Sequence, residues 1–514
     1  MPLDNTGQNE DRSLSRRTFV KGTGATAATG ALGALAGCSS GGNDGDGNGG
    51  DGNNDGDGNN DGGGGSGSTT IQFISGMAAE NSDIRKHYQD SMKDFQEKNG
   101  SVKINLQAVS YGDIKTKLSS TVNAGNPPAI AEGGALGLKF FNQGKVPNHK
   151  PFYEKTKGMP DNLTAANKES AQFRGDYWSG GAQRHTNTNL GINVQAFKKA
   201  GVSNPKKDLA TWSDFYGYLE KIDKNQDIIA WEETGVYNDL ESYWGEARTA
   251  YTDGTDPWIR GDPKNPDIVV GSDHKDAPKT DGMVKNCIKL AKKFSSKKSA
   301  SRGDEEIPSL MLTDRVASFM YATPTANRWR QVKSDVKFGW QGGDGDVMLL
   351  PDPKLDPDYG SKVGISELEG VSGEHGGHMW AVEQQTSILD TSDKKKKAAW
   401  DLNMYLLTDE DFALPAWGEY YEAIPGYAPM SDKLTEQYGD KLASWTTTAI
   451  DNVDKYGSQY ATTGAAWDVK GTSDIRWNNI NKTISSAIAG QVSAEEAPKK
   501  INQKIKKTLK EQNK

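Results

Sequence analysis

The sequence predicts an α/β protein in which parallel strands are joined by helical crossovers. Three observations carry this. At 514 residues the chain exceeds what one ordinary core takes up, so two or more domains are expected. From Thr69 onward, short apolar or alternating runs take turns with apolar stripes at helical spacing. And Asn189-Leu190-Gly191-Ile192-Asn193-Val194, continuing to Val202, reads as an apolar run, a turn, a brief helix and a glycine stop at Gly201.

In chain order, Ser15-Arg16-Arg17-Thr18-Phe19-Val20-Lys21 has the form of a twin-arginine export signal, with Arg16 and Arg17 as its pair. A weakly apolar run, too short and too mild for a membrane span, leads to Leu35-Ala36-Gly37-Cys38. This looks like a lipobox, whose cysteine would take lipid and anchor the protein to the outer face of the cytoplasmic membrane. Residues 1–37 are thus read as signal. Residues 38–68, almost all Gly, Asn, Asp and Ser, form a flexible tether with a reach of roughly 30 Å. Signal, lipobox and tether together look like exported lipoproteins of halophilic archaea.

Residues 70–74 read as a strand, and Ile84, Tyr88, Met92 and Phe95 form a helical stripe. Residues 102–106 alternate as a second strand, and a helix follows around 114–122. Thr211 and Asp214 have the spacing of a capping box, with Phe215, Leu219 and Ile222 continuing one apolar face. Near the C-terminus, Ser493 and Glu496 cap a helix whose face carries Ala497, Ile501, Ile505 and Leu509.

A net charge of −8 argues against a nucleic-acid partner. Of two cysteines, Cys38 belongs to the lipobox, which leaves no internal disulfide, and Cys287 falls on an amphipathic helical pattern as a buried apolar residue. The 13 Trp and 18 Tyr against 13 Phe are a notable balance, since such rings suit a hydroxyl-rich ligand, while core packing takes up more than half of them.

The run Asn189-x-x-x-Asn193 through Phe197-Lys198-Lys199-Ala200-Gly201-Val202, then Thr211-Trp212-x-x-Phe215, resembles the family 1 extracellular solute-binding proteins of ABC importers. So do Ala398-Ala399-Trp400 through Leu407-Thr408-x-Glu410, the turn Gly426-x-x-Pro429, and the Gly-rich run 370–382. Ala129 stands where that family usually has an aspartate. The resemblance covers the domain from Thr69 to about Leu509. It implies a periplasmic-binding-protein-like type II fold, two α/β lobes with a ligand cleft between them. Lobe one is expected at 69–186 and 377–430, lobe two at 187–376 and 431–514. It further implies a monomeric, non-enzymatic receptor without cofactor that captures a sugar or oligosaccharide by hinge closure and delivers it to an ABC permease.

Several residues sit where such relatives contact ligand. Glu132 and Gly133 are read as following the second strand of lobe one, and Thr186, Asn187 and Asn189 flank the crossover. Trp231 and Glu232 match a polar–aromatic pair, and Trp477 matches a stacking tryptophan. Trp329, Trp417, Tyr420 and Tyr421 are further candidates, with core packing the alternative for all the aromatics. In Glu374-His375-Gly376-Gly377-His378, Glu374 and His378 are read as sugar contacts or as part of a hinge loop. Their spacing is not that of a helical zinc site, and no metal is expected. A same-fold receptor for a peptide or polyamine, or a glycoside hydrolase using carboxylates such as Glu232 and Glu374, are the alternatives.

Overall fold

The computed structural model describes residues 68–233, 257–303, 306–323, 326–373, 380–389, 391–442, 446, 450 and 469–512. The chain divides into units 1–63 and 64–514, and all described residues lie in the second. Arg16, Arg17 and Cys38 therefore fall outside the described residues.

The first sheet has four strands in the order Ser387–Ile388, Ile130–Ala131, Thr69–Ser75, Val102–Ala108. Thr69–Ser75 runs parallel to both of its neighbours, and Ser387–Ile388 closes the edge antiparallel. Helices Ser82–Lys98 and Tyr111–Asn123 make the two crossovers. The first begins where the Asn81 side chain accepts hydrogen bonds from the amides of Asp83 and Ile84, and it buries Ile84, Tyr88, Met92 and Phe95 along one face. The expected stripe is the observed one.

The second sheet is built on one long strand, Ala182–Asn193. Its 12 residues span about 40 Å at ~3.3 Å each. Along one edge it pairs antiparallel with Trp380–Gln385 and Val347–Leu350, along the other with Ile424–Pro425 and Ser318–Thr323. Gly191 lies opposite Phe319, and a Cβ there would stand 2.4 Å from the Phe319 ring, so only glycine lets that ring cross the strand. Asn193 ends the strand and caps helix Val194–Lys199, its carboxamide oxygen accepting from the Ala196 amide at 2.9 Å. Gly201, at φ +98°, follows that helix.

Thr211 caps helix Trp212–Asn225 as its spacing predicts, accepting from the Asp214 amide at 3.1 Å and donating to the Asp214 carboxylate at 2.8 Å. Thr211→Ala should cost about 1 kcal/mol of unfolding free energy, read as a lower urea midpoint at unchanged slope. The turn Arg174-Gly175 has positive φ at both residues, the pattern of a tight hairpin between Gln172–Phe173 and Asp176–Tyr177.

Buried side chains form two large cores. One joins Ile71, Phe73, Tyr88 and Phe95 to Trp400, Leu406, Phe412 and Trp417. The other joins Leu190, Phe197, Trp212 and Phe215 to Met283, Cys287, Ile480 and Ile501. Leu434, Tyr438, Leu442 and Ile450 pack into the first core. The sequence division, which begins the last lobe-two segment at 431, differs here. Helix Ala428–Tyr438 lays Leu434 and Tyr438 against Gly418 next to Trp417, and among the described residues the C-terminal segment enters the second core from Val469 onward. Cys287 is buried in the second core, as its helical pattern predicts.

Candidate functional site

Parallel strands present their carboxyl ends, and the helix starts that follow, on one side of a sheet, where open α/β folds bind ligands. In the first sheet that edge carries Ser75 and Glu132. Glu132 is only 3% exposed. One oxygen accepts from the Ser75 hydroxyl at 2.9 Å and the Met77 amide at 3.0 Å, and the other from the Tyr88 hydroxyl at 3.2 Å. The Gln183 carboxamide of the long strand lies 3.0 Å from the same hydroxyl. Tyr88 has one proton to give. Turning the amide so that its nitrogen donates to Tyr88 frees that proton for Glu132 and gives the otherwise unpartnered Gln183 nitrogen an acceptor. Next to it, the buried Arg184 guanidinium lies 4.5 Å from the Tyr421 ring centre, with its Nε 2.8 Å from the Met77 sulfur.

Burial pushes the Glu132 carboxyl above the ordinary carboxylate range, against the bonds from Met77 and Ser75 and the charge of Arg184. The folded domain therefore holds this proton more tightly than the unfolded chain does. The stability that follows is fully present below the unfolded pKa and is lost as pH rises through the higher folded value. Glu132→Gln removes that loss. Its unfolding free energy should gain on the wild type as pH rises from about 4 toward neutrality. Denaturation at a series of pH values checks this, and a difference independent of pH would contradict it.

Three ion pairs reach the elements around this edge, two from helix Ala326–Val332 and one from Asp474. Arg328 pairs with Glu80 at 2.7 Å, Arg330 with Glu422 at 2.9 Å and Lys139 with Asp474 at 3.3 Å. Beside the last, Leu138, Lys139, Asn142 and Gln143 face Gly471, Thr472, Asp474 and Gln512 across a shallow groove.

The structure sorts the sequence-predicted residues unevenly. Glu132 sits at the strand edge, but its oxygens are already committed to Ser75, Met77 and Tyr88. Gly133 packs closely, since a Cβ there would lie 2.9 Å from Leu118. Thr186, Asn187 and Asn189 lie on the long strand, their backbones paired with Val382, with Ala381 and Thr323, and with Tyr321. Trp231 and Glu232 follow a run bridged parallel to the second sheet, and both are taken up by the interior. The Trp231 ring lies edge-on to Trp212 and Phe215, and its N–H donates to Glu233 at 2.8 Å. Glu232 is locked to Arg302 at 2.8 Å and to the Ser296 hydroxyl at 2.7 Å. For these two the ligand-contact expectation is corrected to core packing and a buried ion pair.

Trp329 and Trp417 are fully buried, Trp329 against Phe319 and Trp417 against Phe412, so both are core residues rather than open stacking faces. Tyr421 is buried under Arg184. Tyr420, its ring centre 5.0 Å from that of His87, and Trp477, with Arg476 4.8 Å from its ring centre, stay half-buried. Trp477 lies on a π-helical stretch, Ile475–Asn481, a geometry common at functional sites. Glu374 and His378 lie outside the described residues. Among those described, no group of three or more His, Cys, Asp or Glu could hold a metal ion. Sequence reasoning missed Ser75, Tyr88, Glu80, Arg184 and Arg328. Glu80 and Arg328 stand 248 positions apart, a separation that leaves no local signal.

Two cores joined by one long strand define the class: a two-lobed α/β protein. Residues 90–446 match the bacterial extracellular solute-binding protein family, and the chain belongs to that family. Residues 13–33 match the signal sequence of the twin-arginine translocation pathway, so the protein is one exported from the cytoplasm. No curated protein matches the chain in sequence.

Among solved structures, a solute-binding protein of an ABC transporter from Thermotoga lettingae, bound with α-D-tagatose, is 17% identical at a TM-score of 0.59 and covers 86% of this chain and 100% of its own. The GacH receptor of Streptomyces glaucescens, solved unliganded and with acarbose, is 16% identical at 0.60, covering 86% and 99%. The sugar-binding protein MalE of Xanthomonas citri is 16% identical at 0.58, covering 86% and 98%. These likenesses establish the type II periplasmic-binding-protein fold.

Proposed function

We propose that this protein captures a sugar or oligosaccharide between its two lobes by hinge closure and delivers it to the permease of an ABC importer. The observation that carries the reading is the strand Ala182–Asn193, shared by partners from both cores, which is the geometry of a crossover about which two lobes can bend. The solved relatives whose names include tagatose, acarbose and a sugar-binding MalE support a saccharide as the ligand class. We divide the lobes as residues 68–186 with 380–450, and 187–373 with 469–512. Tyr420, Trp477, Thr186, Asn187, Asn189, Glu374 and His378 remain the proposed contacts. The protein acts as a monomeric receptor, not an enzyme, held at the outer face of the membrane by lipid on Cys38.

Intrinsic tryptophan fluorescence titrated with mono- and oligosaccharides tests the ligand class. A saturable response to a sugar supports it, and a response confined to peptides or polyamines overturns it. Anchoring is tested separately: Cys38→Ala should move the exported protein from the membrane fraction to the soluble one, and unchanged partitioning would remove the lipid from the account.

A further inference from the structure

The short helix Ala326–Val332 follows strand Ser318–Thr323 of the second sheet. Trp329 roots it, fully buried among Phe319, Val316 and Val347. On either side of that anchor stand two arginines, each meeting a carboxylate of the other lobe. Arg328 donates from Nε and Nη2 to one oxygen of Glu80, at 3.2 and 2.7 Å. Arg330 donates to Glu422 at 2.9 Å, with its guanidinium 5.2 Å from the centre of the Phe338 ring.

Glu422 is held from behind, and Glu80 is carried on a short backbone turn. The Glu80 side chain is 10% exposed and follows the turn Met77–Ala79, whose first amide donates to Glu132. The Glu422 side chain is 2% exposed, and its second oxygen accepts from the Thr446 hydroxyl at 3.3 Å. Its backbone lies at φ +61°, a conformation that a residue with a Cβ keeps only when its surroundings impose it. A carboxylate held this firmly presents a fixed target to the arginine of the opposite lobe.

We infer that Arg328 and Arg330 are positioning residues: as a two-point clamp they hold helix Ala326–Val332 of one lobe on the other and so set the balance between closed and open forms. The inference rests on the two-lobe hinge reading above. A clamp of this kind adds to closure without touching the ligand, so even an uncharged sugar binds with an affinity that falls with ionic strength. Losing Arg328 should weaken sugar binding about tenfold, within the usual range of coupling between a conformational equilibrium and a site.

Small-angle X-ray scattering of the full chain without sugar tests this directly, since the N-terminal region adds equally to every variant. On passing from about 0.1 to about 1 M NaCl the screening length falls from ~10 Å to ~3 Å, and the wild-type radius of gyration should rise. The double variant Arg328→Gln, Arg330→Gln should start at the larger value and respond less to salt than the wild type, with Lys139–Asp474 the pair that remains of the three. Arg328→Glu alone should also be expanded, and Glu80→Arg combined with Arg328→Glu should restore the compact value, a rescue that a merely structural role would not give. Thermal unfolding of each variant separates expansion from misfolding. A radius insensitive to salt in the wild type, or a charge exchange without rescue, overturns the clamp. A wild type that is compact and salt-responsive but binds no sugar overturns the proposed function instead.

Discussion

Arg302→Met should destabilise the domain by about 3–5 kcal/mol, because it strands a buried carboxylate. The Glu232 side chain is 0% exposed and that of Arg302 8%. One Glu232 oxygen accepts from Arg302 Nε at 2.8 Å and the Ser296 hydroxyl at 2.7 Å, the other from the Ser296 amide at 3.1 Å. Without the guanidinium the charge has only Ser296 for company in a medium that solvates it poorly. Replacing both partners with apolar residues of similar volume should recover much of the loss, since a well-packed apolar pair avoids the desolvation cost altogether. Urea denaturation of the single and double variants measures both effects. A single variant within about 1 kcal/mol of wild type would mean that Glu232 is solvated in solution.

Trp231→Ala should cost about 3–5 kcal/mol, the usual range for removing a large buried aromatic. The ring is fully buried and lies 5.6 Å from Phe215 and 6.3 Å from Trp212, centre to centre. Its loss opens a cavity where helix Trp212–Asn225 meets the second sheet. Sugar affinity of the variant, measured where it is still folded, should change far less than its stability. The reverse pattern, near-normal stability with abolished binding, would return Trp231 to the ligand contacts.

The comparison of Trp231 with Trp477 shows what the sequence could reveal. Alternation and helical spacing marked two of the four strands of the first sheet, the stripe from Ile84 to Phe95 and the capped start at Thr211, because each is written within a few neighbouring residues. Whether a tryptophan faces a cleft or a core depends on what packs over it from elsewhere in the chain. Trp231 meets Trp212 and Phe215, whereas Trp477 stays half-buried on its π-helical stretch. Both read alike as aromatics at a motif distance. The same limit hid Glu80 and Arg328, whose carboxylate and guanidinium meet only once the chain has folded. Glu132 falls between these cases: its place at a strand end was legible, while the Ser75, Met77 and Tyr88 donors that occupy it were not.

The most direct test of the central claim is isothermal titration calorimetry of the full chain against a panel of neutral mono- and oligosaccharides, with each sugar recovered and analysed afterwards. The account predicts saturable one-to-one binding of at least one sugar, returned chemically unchanged. Binding restricted to peptides, polyamines or metal ions, or recovery of a cleaved sugar, would contradict it.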